Sequence, residues 1–276
     1  MAKKATKSEA PKKARKAAAA DLGPLQVHLY AIDGTVSGTV DLPTVFATAP
    51  RPDLIRRAVT AFAANRRQPY GAAPRAGMRH SVRWSGKGQG VSRVTRIRGT
   101  MIGAQSPGTV GGRAAFPPEV ARIWAKKVNE KERRMARNAA LAAIHDAHLV
   151  AGRGHRLPPK ITVPLVVDDQ VEGIESVSEA VEFLEAVGVY GDVQRAKEGK
   201  HVRPGRGKLR GRRYRQPRGP LLVVRDSSKV RLGFGNLPGI EVVTPSALNA
   251  EVLAPGGDPG RLTIFSAAAL ETLRGW

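Results

Sequence analysis

The chain has 276 residues, enough for one large domain or two ordinary ones, and 41% are hydrophobic, so a core is possible although only 5% are aromatic. Its 46 Lys and Arg against 23 Asp and Glu leave a formal net charge of +23, which repels itself in a compact state and calls for a polyanionic partner. Cysteine is absent, which excludes disulfides, thiolate metal sites and cysteine nucleophiles, and no apolar run approaches the roughly 20 residues of a membrane span.

In chain order, residues 1–20 hold seven Lys/Arg and one acid, Glu9, without the apolar stretch of a signal peptide. They are expected to form a basic, disordered arm on a cytoplasmic protein. Residues 25–32 read as a strand, and Asp33-Gly34 is a tight-turn signal before a second strand at 35–40. Residues 52–65 read as a helix with Ile55, Val59 and Phe62 on one face.

Residues 66–113 then hold ten Lys/Arg and no Asp or Glu. They show neither a helical nor a strand period and are rich in Gly, Pro, Ser and Arg. Ordinary loops run to about a dozen residues, and this stretch cannot bury enough apolar surface to offset its ordering entropy alone. It is expected to be an extended loop that a partner orders. Within it, Trp84 is placed to stack on an unpaired base or to tuck back onto the body. Gly86, Gly88 and Gly90 remove side-chain bulk, letting backbone lie against RNA.

Beyond the loop, Asn129 and Glu132 resemble a capping box for an Ala-rich helix reaching about residue 150, with Gly152 past its end. A short buried strand at 165–167 precedes an amphipathic helix at 176–187, with Val177, Val181 and Leu184 inward. Residues 195–218 form a second basic excursion, with eleven Lys/Arg against Glu198, and Tyr214 lies inside it. Strands follow at 221–224 and 241–243, then a helix starting at Thr244-Pro245 and running to about residue 252. A last strand at 261–265 leads to a terminal helix capped by Ser266. Alternating β and α segments of this kind predict a layered α/β domain with a largely parallel sheet, built from residues 21–65 and 114–276.

The charge is segregated. The three basic segments carry 28 of the 46 basic and 2 of the 23 acidic residues, so the remaining body is near neutral. Arg exceeds Lys in both internal segments, favouring bidentate phosphate contacts over diffuse attraction to a membrane surface.

Catalytic patterns are missing. The chain has no G-x-x-x-x-G-K-[ST], no G-x-G-x-x-G and no G-x-S-x-G; Gly205-Arg206-Gly207 and Gly233-Phe234-Gly235 have the wrong continuation. His145 and His148 lie three apart on a helix, but Asp146 points to another face, so exposed or core-rim histidines are the simpler reading. The acids Asp168, Asp169, Glu172, Glu175 and Glu179 suit a strand end, a turn and a solvated helix face better than a two-metal centre. No catalytic residue, cofactor or metal is therefore expected. An RNA-processing enzyme and a regulatory RNA- or DNA-binding protein are the rivals to a structural RNA-binding protein.

Residues 41–71 (DLPTVFATAPRPDLIRRAVTAFAANRRQPYG), 129–143 (NEKERRMARNAALAA), 152–159 (GRGHRLPP), 207–223 (GKLRGRRYRQPRGPLLV) and 235–270 resemble the universal large-subunit ribosomal protein four family in its archaeal and eukaryotic form. The chain lacks the long C-terminal extension of eukaryotic members, which favours the archaeal branch. The resemblance implies a non-enzymatic constituent of the large ribosomal subunit in the cytoplasm. Its partners would be large-subunit ribosomal RNA, neighbouring ribosomal proteins and the nascent chain, with no membrane. It further implies that residues 66–113 thread through RNA to the wall of the exit tunnel. The RNA contacts so implied are Arg66, Arg67, Arg75, Arg79, Arg83, Trp84, Lys87, Gln89, Arg93, Arg96, Arg98 and Arg113 in the loop. Arg153 and Arg156 come next, then Arg203, Arg206, Lys208, Arg210, Arg212, Arg213, Arg215 and Arg218 in the second excursion.

Overall fold

In a computed structural model of the chain, residues 23–158 and 161–276 are described; the N-terminal arm expected at 1–20 lies outside them. The elements are β1 (Gln26–Tyr30), β2 (Val36–Asp41), α1 (Pro52–Asn65), the two-residue β3 (Val82–Arg83) and β4 (Arg96–Ile97), α2 (Glu130–His145) and α3 (Ala147–Gly152). Then come β5 (Leu165–Val167), α4 (Val177–Val187), α5 (Tyr190–Glu198), β6 (His201–Val202), β7 (Tyr214–Arg215) and β8 (Leu221–Val223). The chain closes with α6 (Val230–Phe234), β9 (Glu241–Val243), α7 (Ala250–Leu253), β10 (Thr263–Ser266) and α8 (Ala267–Leu273). Contacts divide the described residues into two compact units, one of residues up to 60 with those from 128 onward and one of residues 61–127.

The larger unit is the expected layered α/β body. Its sheet runs β2-β1-β5-β10-β8-β9, and every pairing is parallel except β1 with β2. β5 and β8 are apolar throughout and β10 sets Ile264 and Phe265 between Thr263 and Ser266, because both faces are covered, and successive side chains leave toward opposite layers. Leu165, Val167, Leu222, Val224, Leu262 and Ile264 enter one core with Phe183 and Leu184 of α4 and Phe234 of α6. Phe265, the neighbour of Ile264 along β10, meets Phe46 edge-on, with ring centroids 6.0 Å apart. Asp33-Gly34 makes the turn between β1 and β2: Gly34 sits at φ +72°, and a Cβ there would lie 2.2 Å from the Ala186 carbonyl oxygen. Only glycine suits that backbone and that approach.

Several local expectations are corrected. The Ala-rich helix breaks at Asp146, whose extended backbone (φ −85°, ψ 107°) ends α2 and whose carboxylate accepts the His148 amide at 2.8 Å to cap α3; a side chain that can cap competes with helix continuation. Asn129 makes no side-chain cap bond, and Glu132 is instead held by the Arg57 guanidinium at 3.0 Å, so no capping box forms. The helix expected from Thr244 is two short turns, interrupted by extended Asn249, which caps α7 through the Val252 amide. Val177, expected inward, is 40% exposed, because it opens the first turn of α4 at the edge of the covered stripe.

Candidate nucleic-acid interface

The unit of residues 61–127 carries 13 Lys/Arg and a single acid, Glu119. Its regular structure is slight but specific. β3 and β4 pair antiparallel, Val82 opposite Ile97 and Arg83 opposite Arg96. Thr95 and Ala104 exchange bonds across the turn that follows, the Ala104 amide donating to the Thr95 carbonyl and the Thr95 hydroxyl to the Ala104 carbonyl. Gln105, in the left-handed region at φ 62°, aims its side-chain amide at the carbonyls of Met78 and His80. These bonds satisfy backbone groups that a long loop otherwise leaves to water.

The arginines of this unit divide into two groups. Arg96 braces the loop, its guanidinium donating to the Met101 carbonyl and the Ser92 hydroxyl. Arg66, Arg67, Arg75, Arg79, Arg83, Lys87, Arg93, Arg98 and Arg113 are exposed, as is Gln89. Trp84 is 47% exposed and, with Arg83, Gln89, Arg98 and Met101, lines a cavity of about 700 Å³. Gly86, Gly88 and Gly90 all adopt positive φ with open space where a Cβ would stand, so this tract presents bare backbone in a conformation other residues resist.

The second excursion begins inside a helix, for residues 195–198 complete α5, which periodicity did not reveal beneath the basic run. From there β6 and β7 form a hairpin stem, extended by the Arg203 amide on the Arg213 carbonyl and the Arg203 guanidinium on the Tyr214 carbonyl. Arg206, Lys208, Arg210, Arg212, Arg213 and Arg215 project from it, exposed. Tyr214 is 51% exposed, with Lys200 4.9 Å and Arg213 5.6 Å from its ring centroid. Arg218, also exposed, stands 3.5 Å from Glu241.

Two buried ion clusters hold the base of this excursion. Asp192 is fully buried and accepts from the His155 ring (2.9 Å), the Arg156 amide (3.0 Å) and the Arg195 guanidinium (2.8 Å). Burial opposes its ionisation, but the bonds from His155 and Arg195 outweigh it and hold the carboxyl below the usual carboxylate range. Arg195 also donates to the Arg218 carbonyl at 2.8 Å. Arg261, with no exposed surface, donates to the next carbonyl, that of Gly219, and to Glu241 and the Val252 carbonyl. Arg153 likewise turns inward onto the Asp258 and Pro255 carbonyls, whereas Arg156 stays exposed, 3.7 Å from Glu198.

The histidine and carboxylates weighed as candidates for chemistry serve as joints. Both ring nitrogens of His145 lie 2.9 Å from backbone oxygens, of Val163 and Pro24. At the carboxyl ends of the parallel strands, where α/β proteins usually bind ligands, Glu172 instead takes the Arg225 amide at 2.7 Å and the Ser266 hydroxyl at 2.7 Å. Asp169 takes the Ala268 amide there. Among the described residues no cluster of three or more His, Asp or Glu is arranged for a metal, and no helix is long and apolar enough to cross a membrane.

Sequence reading named Arg67 among the RNA contacts but passed over the group that surrounds it. Tyr70 and Trp124 stack with centroids 5.9 Å apart, and the guanidinium carbons of Arg67 and Arg122 lie 3.7 Å and 4.4 Å from the Trp124 centroid. Residues 67 and 124 are too far apart for any local pattern to link them; a lone Trp in a basic context was the only signal.

A near-neutral α/β body bearing two Arg-rich, acid-poor excursions has the charge distribution of a polyanion-binding protein. The model of the Ribosomal protein L4/L1 family matches residues 40–276, and the chain belongs to that family. It is similar to the large ribosomal subunit protein uL4 of Thermoplasma acidophilum, 44% identical over 251 residues, spanning 90% of this chain and 97% of that protein. It is also similar to the uL4 proteins of Methanococcoides burtonii (45% over 248 residues, 90% and 97%) and Halobacterium salinarum (45% over 247 residues, 90% and 98%). These relatives are archaeal, the branch to which the sequence points.

Proposed function

We propose that this chain is a structural constituent of the large ribosomal subunit, binding its ribosomal RNA within the cytoplasmic ribosome, beside neighbouring ribosomal proteins. Residues 66–113 act as an extended RNA-binding loop that reaches the exit tunnel wall, where the nascent chain passes, and residues 195–218 form a second contact near the body. The observation that carries this reading is the run of exposed arginines in 66–113, without one carboxylate, on a chain whose remaining charge is nearly balanced. Each guanidinium laid against a phosphate releases condensed counterions, so affinity accumulates along the loop. The near-neutral body supplies shape and register. Sedimentation of a native lysate through a sucrose gradient, before and after a high-salt wash, tests it. Retention in the large-subunit fraction after the wash is expected; protein at the top of the gradient ends the ribosomal reading.

A further inference from the structure

The Tyr70–Trp124 pair has no place in the loop-and-phosphate account given so far, yet it gathers charge in an unusual way. Two guanidinium carbons at 3.7 Å and 4.4 Å from one indole centroid lie within about 8 Å of each other, inside the screening length of physiological salt. Among the described residues neither Arg67 nor Arg122 has an ion-pair partner, and both are exposed. Glu119, the one carboxylate of this unit, forms no ion pair with them. Beside the stack opens a cavity of about 330 Å³ lined by Tyr70, Pro117, Pro118, Glu119, Arg122 and Trp124, a volume at the lower end for small-ligand sites. Tyr70 remains 51% exposed although its other side meets Trp124.

A guanidinium stacked on a ring commits its face and keeps its N–H edge for other partners. Arg67 gives one of those N–H groups to the Tyr70 hydroxyl at 3.4 Å, and the rest of its edge is open to grip a phosphate. Stacking also removes the rotamer freedom that an exposed Arg would otherwise lose on binding. We infer that Arg67 and Arg122, held by Tyr70 and Trp124, form a preorganised site for one unpaired RNA nucleotide. Its phosphate meets the two guanidinium edges, and its base lies on the open face of Tyr70, into the cavity. Trp124 is a positioning residue, since it holds the arginines instead of touching the nucleotide. The inference rests on the RNA-binding reading above.

The test uses the full chain labelled with 5-fluorotryptophan and a transcript of large-subunit ribosomal RNA from the same organism. The chain has three tryptophans, and the fluorine resonance lost in Trp124→Phe identifies Trp124. That resonance is expected to shift on RNA binding. Trp124→Leu should bind about tenfold more weakly, the scale of lost cation–π contacts, with its salt dependence unchanged because both charges remain. Trp124→Phe, which keeps a ring, should recover most of the affinity. Arg67→Met and Arg122→Met should each lower the log–log salt slope by about 0.7. An unmoved resonance together with wild-type affinity in Trp124→Leu overturns the site while leaving RNA binding intact. So does a Trp124→Phe protein as weak as Trp124→Leu. Failure of the wild-type chain to bind the transcript overturns the RNA reading itself.

Discussion

Asp192 shows how one buried side chain governs a surface. Its carboxylate carries His155, the Arg156 amide and Arg195 together, and Arg195 in turn holds the Arg218 carbonyl at the end of the second basic excursion. An unfolded aspartate titrates at about 3.9, and the folded carboxyl titrates lower. The stabilisation is therefore complete above about pH 4 and is lost as pH falls through the depressed folded value. Asp192→Asn should be less stable than wild type at pH 7, and the gap should narrow below pH 4. Urea midpoints of both proteins across that range check this; a gap independent of pH would mean the ion cluster is not its source. Arg261 and Glu172 work in the same manner, each satisfying groups on segments remote from itself.

Among the elements, the long segment at 66–113 reads differently in sequence and in space. Its lack of period and of acids was plain in the residues, and so was its isolation from the body's hydrophobic pattern. The β3–β4 pairing and the Gln105 bonds to Met78 and His80 were not, because two-residue strands carry no period and a side-chain amide on a distant carbonyl leaves no mark in composition. The same holds for α5, whose last turn lies beneath basic residues. Replacing 66–113 by a short Gly/Ser linker should leave a body that unfolds cooperatively, since its sheet and buried Leu165, Leu222 and Phe183 belong to other residues. Thermal unfolding followed by circular dichroism decides; a broad, non-cooperative transition would show that the loop belongs to the core.

At the level of the whole molecule, a neutral body and two cationic excursions separate the task of folding from the task of binding. Stability comes from a sheet buried on both faces, and on the proposed reading affinity comes from the exposed arginines of the excursions. RNA affinity should therefore fall steeply with salt, with a log–log slope of about −0.7 to −0.9 for each phosphate neutralised. Filter binding of the transcript from low to moderate salt measures it. A slope near −1 for the full chain would reduce the interface to one or two ion contacts, far fewer than the exposed arginines on offer.

The residues alone determined the α/β class, the near-neutral body, the location of the basic runs and the family. These rest on hydrophobic period and charge, properties of neighbours along the chain, and a strand apolar at every position already implies cover on both faces. Only the tertiary structure decided the strand order. It also turned Arg96, Arg153 and Arg261 to bracing, seated Glu172 on Ser266 across 94 residues of sequence, and brought Arg67 and Arg122 onto one indole. An exposed arginine and a bracing one are the same letter; which role each takes depends on carbonyls, carboxylates and rings that reach it only when the chain has folded.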